Sequence, residues 1–142
     1  ATFQPSLARC SFYTHNFTVN QPTSIIRRVA WTEIMMPIIK TDLLIAAKPL
    51  LANNMSSYGI DCFVFPMLTL TEGISGCHAV IDASIATHIR KTRSHNKIYS
   101  NGLTAGEEFI KTKSSCKQYL AEKGIDLNES PKLRELFAFG PQ

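Results

Sequence analysis

From Cys77 to Arg90 the chain alternates. The odd positions read Cys, Ala, Ile, Ala, Ile, Thr, Ile, and the even positions from 78 read His, Val, Asp, Ser, Ala, His, Arg. Successive side chains of a strand point to opposite faces, so one apolar and one mostly polar face predict a half-buried β-strand. This constrains the fold more than any other stretch, because a strand with one buried face fixes its own register.

The same segment contains the letters of a thiol catalytic site, GISGCHAVID at residues 73–82. On a strand, however, Cys77 and His78 diverge. A nucleophile and its base need heavy atoms about 2.6–3.2 Å apart. Asp82 shares a face with His78, but four residues of strand span roughly 13 Å at about 3.3 Å each. A cysteine in apolar surroundings also has a raised pKa and is a poor nucleophile. Cys77 is therefore expected to be structural and no catalytic residue is assigned. His15, His78, His88 and His95 are equally free to meet a distant partner.

Residues 60–71 also read as a strand, and the Gly-rich turn around EGISG joins it to Cys77–Arg90 as a hairpin. Centring the turn between Gly73 and Ile74 pairs Leu70 with Cys77, Leu68 with Ala79, Val64 with Ala83 and Cys62 with Ile85. The opposite face then collects Phe63, Phe65, Met67 and Val80. Large apolar side chains on an outer face need cover, and aromatic residues and Met are enriched at interface cores. Those four residues are the candidate interface, most simply with a second copy.

The rest is coarser. Residues 8–19 read as a strand, and QPTS stops it. Apolar residues at 25, 26, 29, 30, 34 and 35 have helical spacing up to Pro37. Thr41 and Asp42 are placed to cap a second helix carrying Leu43, Leu44, Ala47, Leu50 and Leu51, with a kink at Pro49. Residues 97–100 read as a short strand. Thr104–Glu107 is a capping-box pattern that opens a helix ending at Gly124, and residues 132–137 suggest one more turn. The expected fold is α+β: an antiparallel sheet of about four strands with helices packed on one face, a two-layer sandwich.

With 142 residues the chain suits one domain spanning 1–142. Hydrophobic residues at 44% and charged residues at 18% indicate a globular chain rather than a disordered one. No apolar run reaches about 18 residues, the length of a membrane span; EIMMPIIKTDLLIAAKPLLA is interrupted by Lys40, Asp42 and Lys48. That Met- and Leu-rich stretch is read as core. The net charge of +4 does not by itself indicate nucleic acid. Arg90, Lys91, Arg93 and Lys97, in HIRKTRSHNK, nonetheless form a candidate polyanion contact, without interleaved aromatic residues for base stacking.

Cys10, Cys62, Cys77 and Cys116 are widely spaced, so no zinc site is expected, and their even number permits two disulfides. Cys62 and Cys77 are too far apart in the hairpin register to bridge each other. Asn-x-Ser/Thr triplets start at Asn16, Asn54 and Asn128, against about one expected by chance. The chain starts at Ala1, which implies removal of an initiator or a leader. Together these lean toward a secreted or extracytoplasmic protein.

No GxGxxG, Walker loop, HExxH, GxSxG or calcium loop occurs, and no cofactor or metal is expected. The first functional expectation is a non-enzymatic binding or assembly subunit acting through protein–protein contacts, as a homo-oligomer or in a larger complex. The alternatives are a thiol hydrolase with a Cys/His site assembled from distant residues, and a polyanion-binding module.

Overall fold

A computed structural model describes residues 12–16, 25–29, 34, 37–73, 78–85 and 96–138. Along them run β1 (Phe12–Asn16), β2 (Ile26–Val29), β3 (Ile38–Ile39) and helix α1 (Thr41–Leu51). A π-helical turn (Ile60–Val64) passes directly into α2 (Phe65–Thr71), followed by β4 (His78–Ile85). Helix α3 (Ala105–Glu122), a 3-10 turn (Leu127–Glu129) and α4 (Pro131–Ala138) complete the order. The class is α+β.

The strands are ordered β2-β4-β1-β3. β4 pairs antiparallel with β2, Arg27 opposite Val80, and parallel with β1, Tyr13 opposite Ala79. β1 pairs antiparallel with β3. The parallel pair makes the sheet mixed rather than wholly antiparallel. Parallel neighbours need a long connection, and here α1 and α2 lie within it.

The alternation from Cys77 onward does mark an extended segment, described over 78–85. It does not mark a solvated face. His78 and Asp82 are buried, as is Ala79 on the other side. Asp82 is tolerated there because Arg27 Nε lies 2.9 Å from its Oδ2; buried charges need such a partner.

Two expected elements are corrected. The spacing of residues 25–35 predicts a helix, but Ile26–Val29 is a strand. Helical spacing was outweighed by the β4 ladder, extended by Asp82 N donating to Ile25 O at 3.0 Å. The pattern of residues 60–71 predicts a strand, but they are helical throughout. Period alone cannot separate a buried strand from a buried helix. Here burial runs all round: Phe63, Val64, Phe65, Met67 and Leu68 are each 0–1% exposed, as in a helix enclosed by its neighbours. Pro66 falls in the first turn of α2, where its fixed φ suits a helix, whereas within a strand it would remove a ladder donor. The predicted hairpin and its register therefore do not form. Residues 97–100 are likewise not a strand; Gly102 N donates to Tyr99 O at 2.9 Å in a turn.

The other helices follow their signals. In α3, Thr104 and Glu107 make both bonds of the capping box. Gly124, at φ +69°, follows its end, and Ile125 N reaches back to Leu120 O at 2.9 Å. α1 begins at Thr41 with Pro49 inside it, but no side chain caps it.

The core is helical. Leu43 and Ala47 of α1 meet Phe63, Val64, Phe65, Met67 and Leu68, with Cys116 and Leu120 of α3 and Leu133 and Phe137 of α4. Ile34 and Ile39 pack against it from the strand side. Phe63 stacks on Phe137 at 5.6 Å between ring centroids and tilts against Phe109 at 4.9 Å. Phe63→Ala is expected to cost about 3–5 kcal/mol in urea unfolding. An unchanged midpoint would contradict this placement of Phe63.

Candidate functional site

Helix α1 has two unlike sides. Leu43 and Ala47, one turn apart, are fully buried, and Ala46 and Leu50 are half-buried. Leu44 and Ile45 point the other way and are 46% and 68% exposed. Leu44, Ile45, Lys48, Leu51 and Ala52 line an open groove of about 450 Å³. Among the described residues, these adjacent aliphatic side chains and the groove beside them form an apolar patch on the outer helix face. The sequence signal was present: TDLLIAAKPLL is apolar on more than one stripe. Reading the whole stretch as core hid it.

The chain after α1 is fixed by Glu108 of α3, which is buried. Met55 N and Ser56 N each donate to its carboxylate at 2.7 Å. The Ser56 hydroxyl and Asn101 Nδ2 donate to it as well. Asn101 Nδ2 also reaches Asn53 O at 3.0 Å. One turn further along α3, Thr112 Oγ1 accepts from Asn54 Nδ2 at 3.0 Å. Glu108 and Thr112 thus clamp residues 53–58 from one helix face. Sequence reasoning passed over Glu108, since a glutamate after a capping box reads as an ordinary first-turn acid.

Burial of Glu108 works to raise its pKa, but the bonds from Ser56, Met55 and Asn101 outweigh it and hold the carboxyl below its ordinary value. Stability from this group is therefore present above the unfolded carboxylate range and is lost as pH falls through the folded value. Glu108→Gln is expected to cost about 1–3 kcal/mol near pH 7. The gap from wild type should narrow on acidification. A gap that stays constant in a pH series of thermal midpoints would refute this account.

Other buried ionisable groups also tie segments together. Asp61 accepts from Ile34 N at 3.3 Å and Cys62 N at 2.9 Å, and burial nonetheless raises its pKa. Tyr119 donates to Glu72 at 2.5 Å, joining α3 to the end of α2, and Lys123 stands 3.4 Å from the same carboxylate. Burial lowers the pKa of His78, so it is neutral at pH 7.

The predicted site residues are dispersed. Phe63, Phe65 and Met67 sit in the helical core, not on an outer face, which corrects the expected interface. Their helix turns them inward, where a strand would have sent alternate residues out. Val80 is half-buried on β4. Lys97 is half-buried, with Nζ 4.9 Å from the Tyr99 ring centroid. Arg90, Lys91 and Arg93 lie outside the described residues, as do Cys10, Cys77, His88 and His95. His15 lies on β1.

Among the described residues, Cys116 is a buried free thiol, and Cys62 is half-buried. Burial pushes the Cys116 pKa up to about 12, leaving almost no thiolate at neutral pH. Asn54 Nδ2 is engaged by Tyr58 O, at 2.9 Å, as well as by Thr112. Asn128 is exposed, its Nδ2 3.0 Å from Asp126 Oδ1. Among the described residues, no three His, Cys, Asp or Glu side chains gather as a metal site. Among them, too, no helix is long and apolar enough to cross a membrane.

Compared with protein-family models, curated proteins and solved structures, the chain matches none.

Proposed function

We propose that the chain is a binding or assembly subunit acting through protein–protein contacts, and that its contact surface is the outer face of α1. One observation carries this reading: Leu44 and Ile45 stand 46% and 68% exposed beside the groove, on a helix whose opposite side is in the core. Apolar patches bordered by polar residues mark interaction surfaces. Lys40, Asp42 and Lys48 supply such a border. Among the described residues, the half-buried and buried carboxylates support binding rather than catalysis. Glu108, Asp61, Asp82 and Glu72 are each engaged in holding one segment to another. We also read the helices as a layer on one face of the sheet. Ile34 and Ile39, packed against the helical core, support that arrangement.

The simplest partner is a second copy. Sedimentation over a rising concentration series should detect association of the wild type. Ile45→Asp should weaken it by about 2 kcal/mol or more, roughly thirtyfold, with an unchanged circular dichroism spectrum. A wild type that stays monomeric at high concentration would count against self-association. Equal association by the variant would count against this face.

A further inference from the structure

Asn101 and Gly102 stand in the turn before α3. Gly102 has φ +79°, and a Cβ placed on it would meet nothing within 4 Å. An asparagine followed by glycine is the pair in which the next backbone nitrogen most easily reaches the side-chain carbonyl, because no Cβ obstructs the approach. Asparagine is also among the thermolabile residues. Here the side chain has a structural task. Its Nδ2 serves Glu108 and Asn53 O, and its Oδ1 accepts from Leu103 N at 3.2 Å. One amide therefore connects the segment after α1, the turn and α3.

We propose that Asn101 is a site of spontaneous covalent conversion to an acid, and that the conversion disarms the Glu108 clamp. The Gly102 nitrogen gives up its proton to solvent and attacks Asn101 Cγ. The new Cγ–N bond forms as the Cγ–Nδ2 bond breaks, and the amide nitrogen takes up a proton and leaves as ammonia. Water then opens the five-membered imide at either carbonyl, giving aspartate or isoaspartate. Water is consumed and ammonia released, with no oxidation or reduction.

The fold sets when this occurs. With residues 53–58 in place, Glu108 and Asn53 hold the leaving nitrogen, and Tyr99 O holds the Gly102 N–H at 2.9 Å. Local opening of residues 53–58 releases Nδ2, and fraying of the 99–102 turn releases the Gly102 N–H. The product has no donor to offer where Nδ2 stood. It sets a second carboxylate against Glu108 and leaves Asn53 O without that partner. The hydrogen-bond partners of Glu108, namely Met55 N, Ser56 and Asn101, are all neutral, so none of them offsets the added charge. Reclosure is opposed by like-charge contact and by lost donors. Because the ammonia is lost to solvent, the conversion runs one way. It frees the segment that fixes the end of α1, whether or not α1 carries a partner.

The test uses the intact chain held at mildly alkaline pH and mapped by peptide mass spectrometry. Asn101 should convert about tenfold or more faster than Asn53, Asn54, Asn96 or Asn128, following the Asn-Gly geometry. Ser56→Ala, which loosens the clamp, should accelerate it several-fold. Converted chains should be cut faster within residues 53–58 by limited proteolysis. Asn101→Asp should raise the unfolded-to-folded ratio about tenfold at pH 7. That deficit should shrink as pH falls toward the carboxylate range, since one of two facing carboxyls then takes a proton and donates to the other. Asn101→Ala, which loses one donor to Glu108 without adding a charge, should recover much less over the same range. Conversion no faster at Asn101 than at the other asparagines would overturn the proposal. So would matching pH profiles for the two variants, or converted chains that resist cleavage as native ones do.

Discussion

A single buried carboxylate organises the middle of this chain. Glu108 cannot sit inside the protein as an anion unless donors surround it. The donors come from Met55, Ser56 and Asn101, so satisfying the charge dictates the path of the chain on leaving α1. That path has its own costs. Ser57 takes a left-handed backbone at φ 66°, worth about 1–2 kcal/mol for a residue with a Cβ. Asn54 Oδ1 steadies it by accepting from Ser57 N at 2.7 Å. Gly59, at φ +85°, then brings the backbone so near α3 that a Cβ would come within 3.1 Å of Thr112 Cβ. Helix α3 thus sets where α1 stops and where the π-helical turn begins.

Around this clamp the protein separates two kinds of contact. The helices share one apolar cluster centred on Phe63 and Phe65, where dispersion and burial dominate. Polar ties join the pieces that the cluster alone would leave unregistered: Asp61 to Ile34, Tyr119 to Glu72, and Arg27 to Asp82. Each tie links residues distant in sequence. Their value lies in fixing geometry, because the net gain from a hydrogen bond is only about 1 kcal/mol.

How far the sequence could be read depended on whether the deciding interaction was local. The capping box of Thr104 and Glu107, the glycine stop at Gly124 and the extended run through Ile81 are short-range signals, and each marks the element it predicts. Residues 26–29 and 60–71 went the other way because distant partners decided them. Arg27 and its neighbours became a strand by pairing with β4. Phe63, Phe65 and Met67 became helical where neighbouring helices bury most of the segment's circumference from 63 to 68. The alternation that suggested an outer face at Phe63 and Met67 was one of two fits to a run apolar almost throughout. Pro66 was the residue that favoured the other. The exposed pair on α1 was visible only as an excess of leucine and isoleucine, and nothing in the residue order distinguishes an outward Ile45 from an inward Leu43.

The pairing of β1 with β4 has a temporal side. Phe12 lies opposite His78 and Tyr13 opposite Ala79, so as the chain is made its first strand precedes its parallel neighbour by some sixty residues. Closing so long a loop is slow relative to forming helices. In the interval the edge of β1 that will meet β4 presents bare amide and carbonyl groups to whatever else is near. The α1–α2 region emerges before β4, but the cluster it joins also needs Cys116, Leu120, Leu133 and Phe137, which are made later still. Production of this protein at a ribosome should therefore be sensitive to pauses between the codons for residues 16 and 78, where a chaperone or a wrong strand has its opportunity.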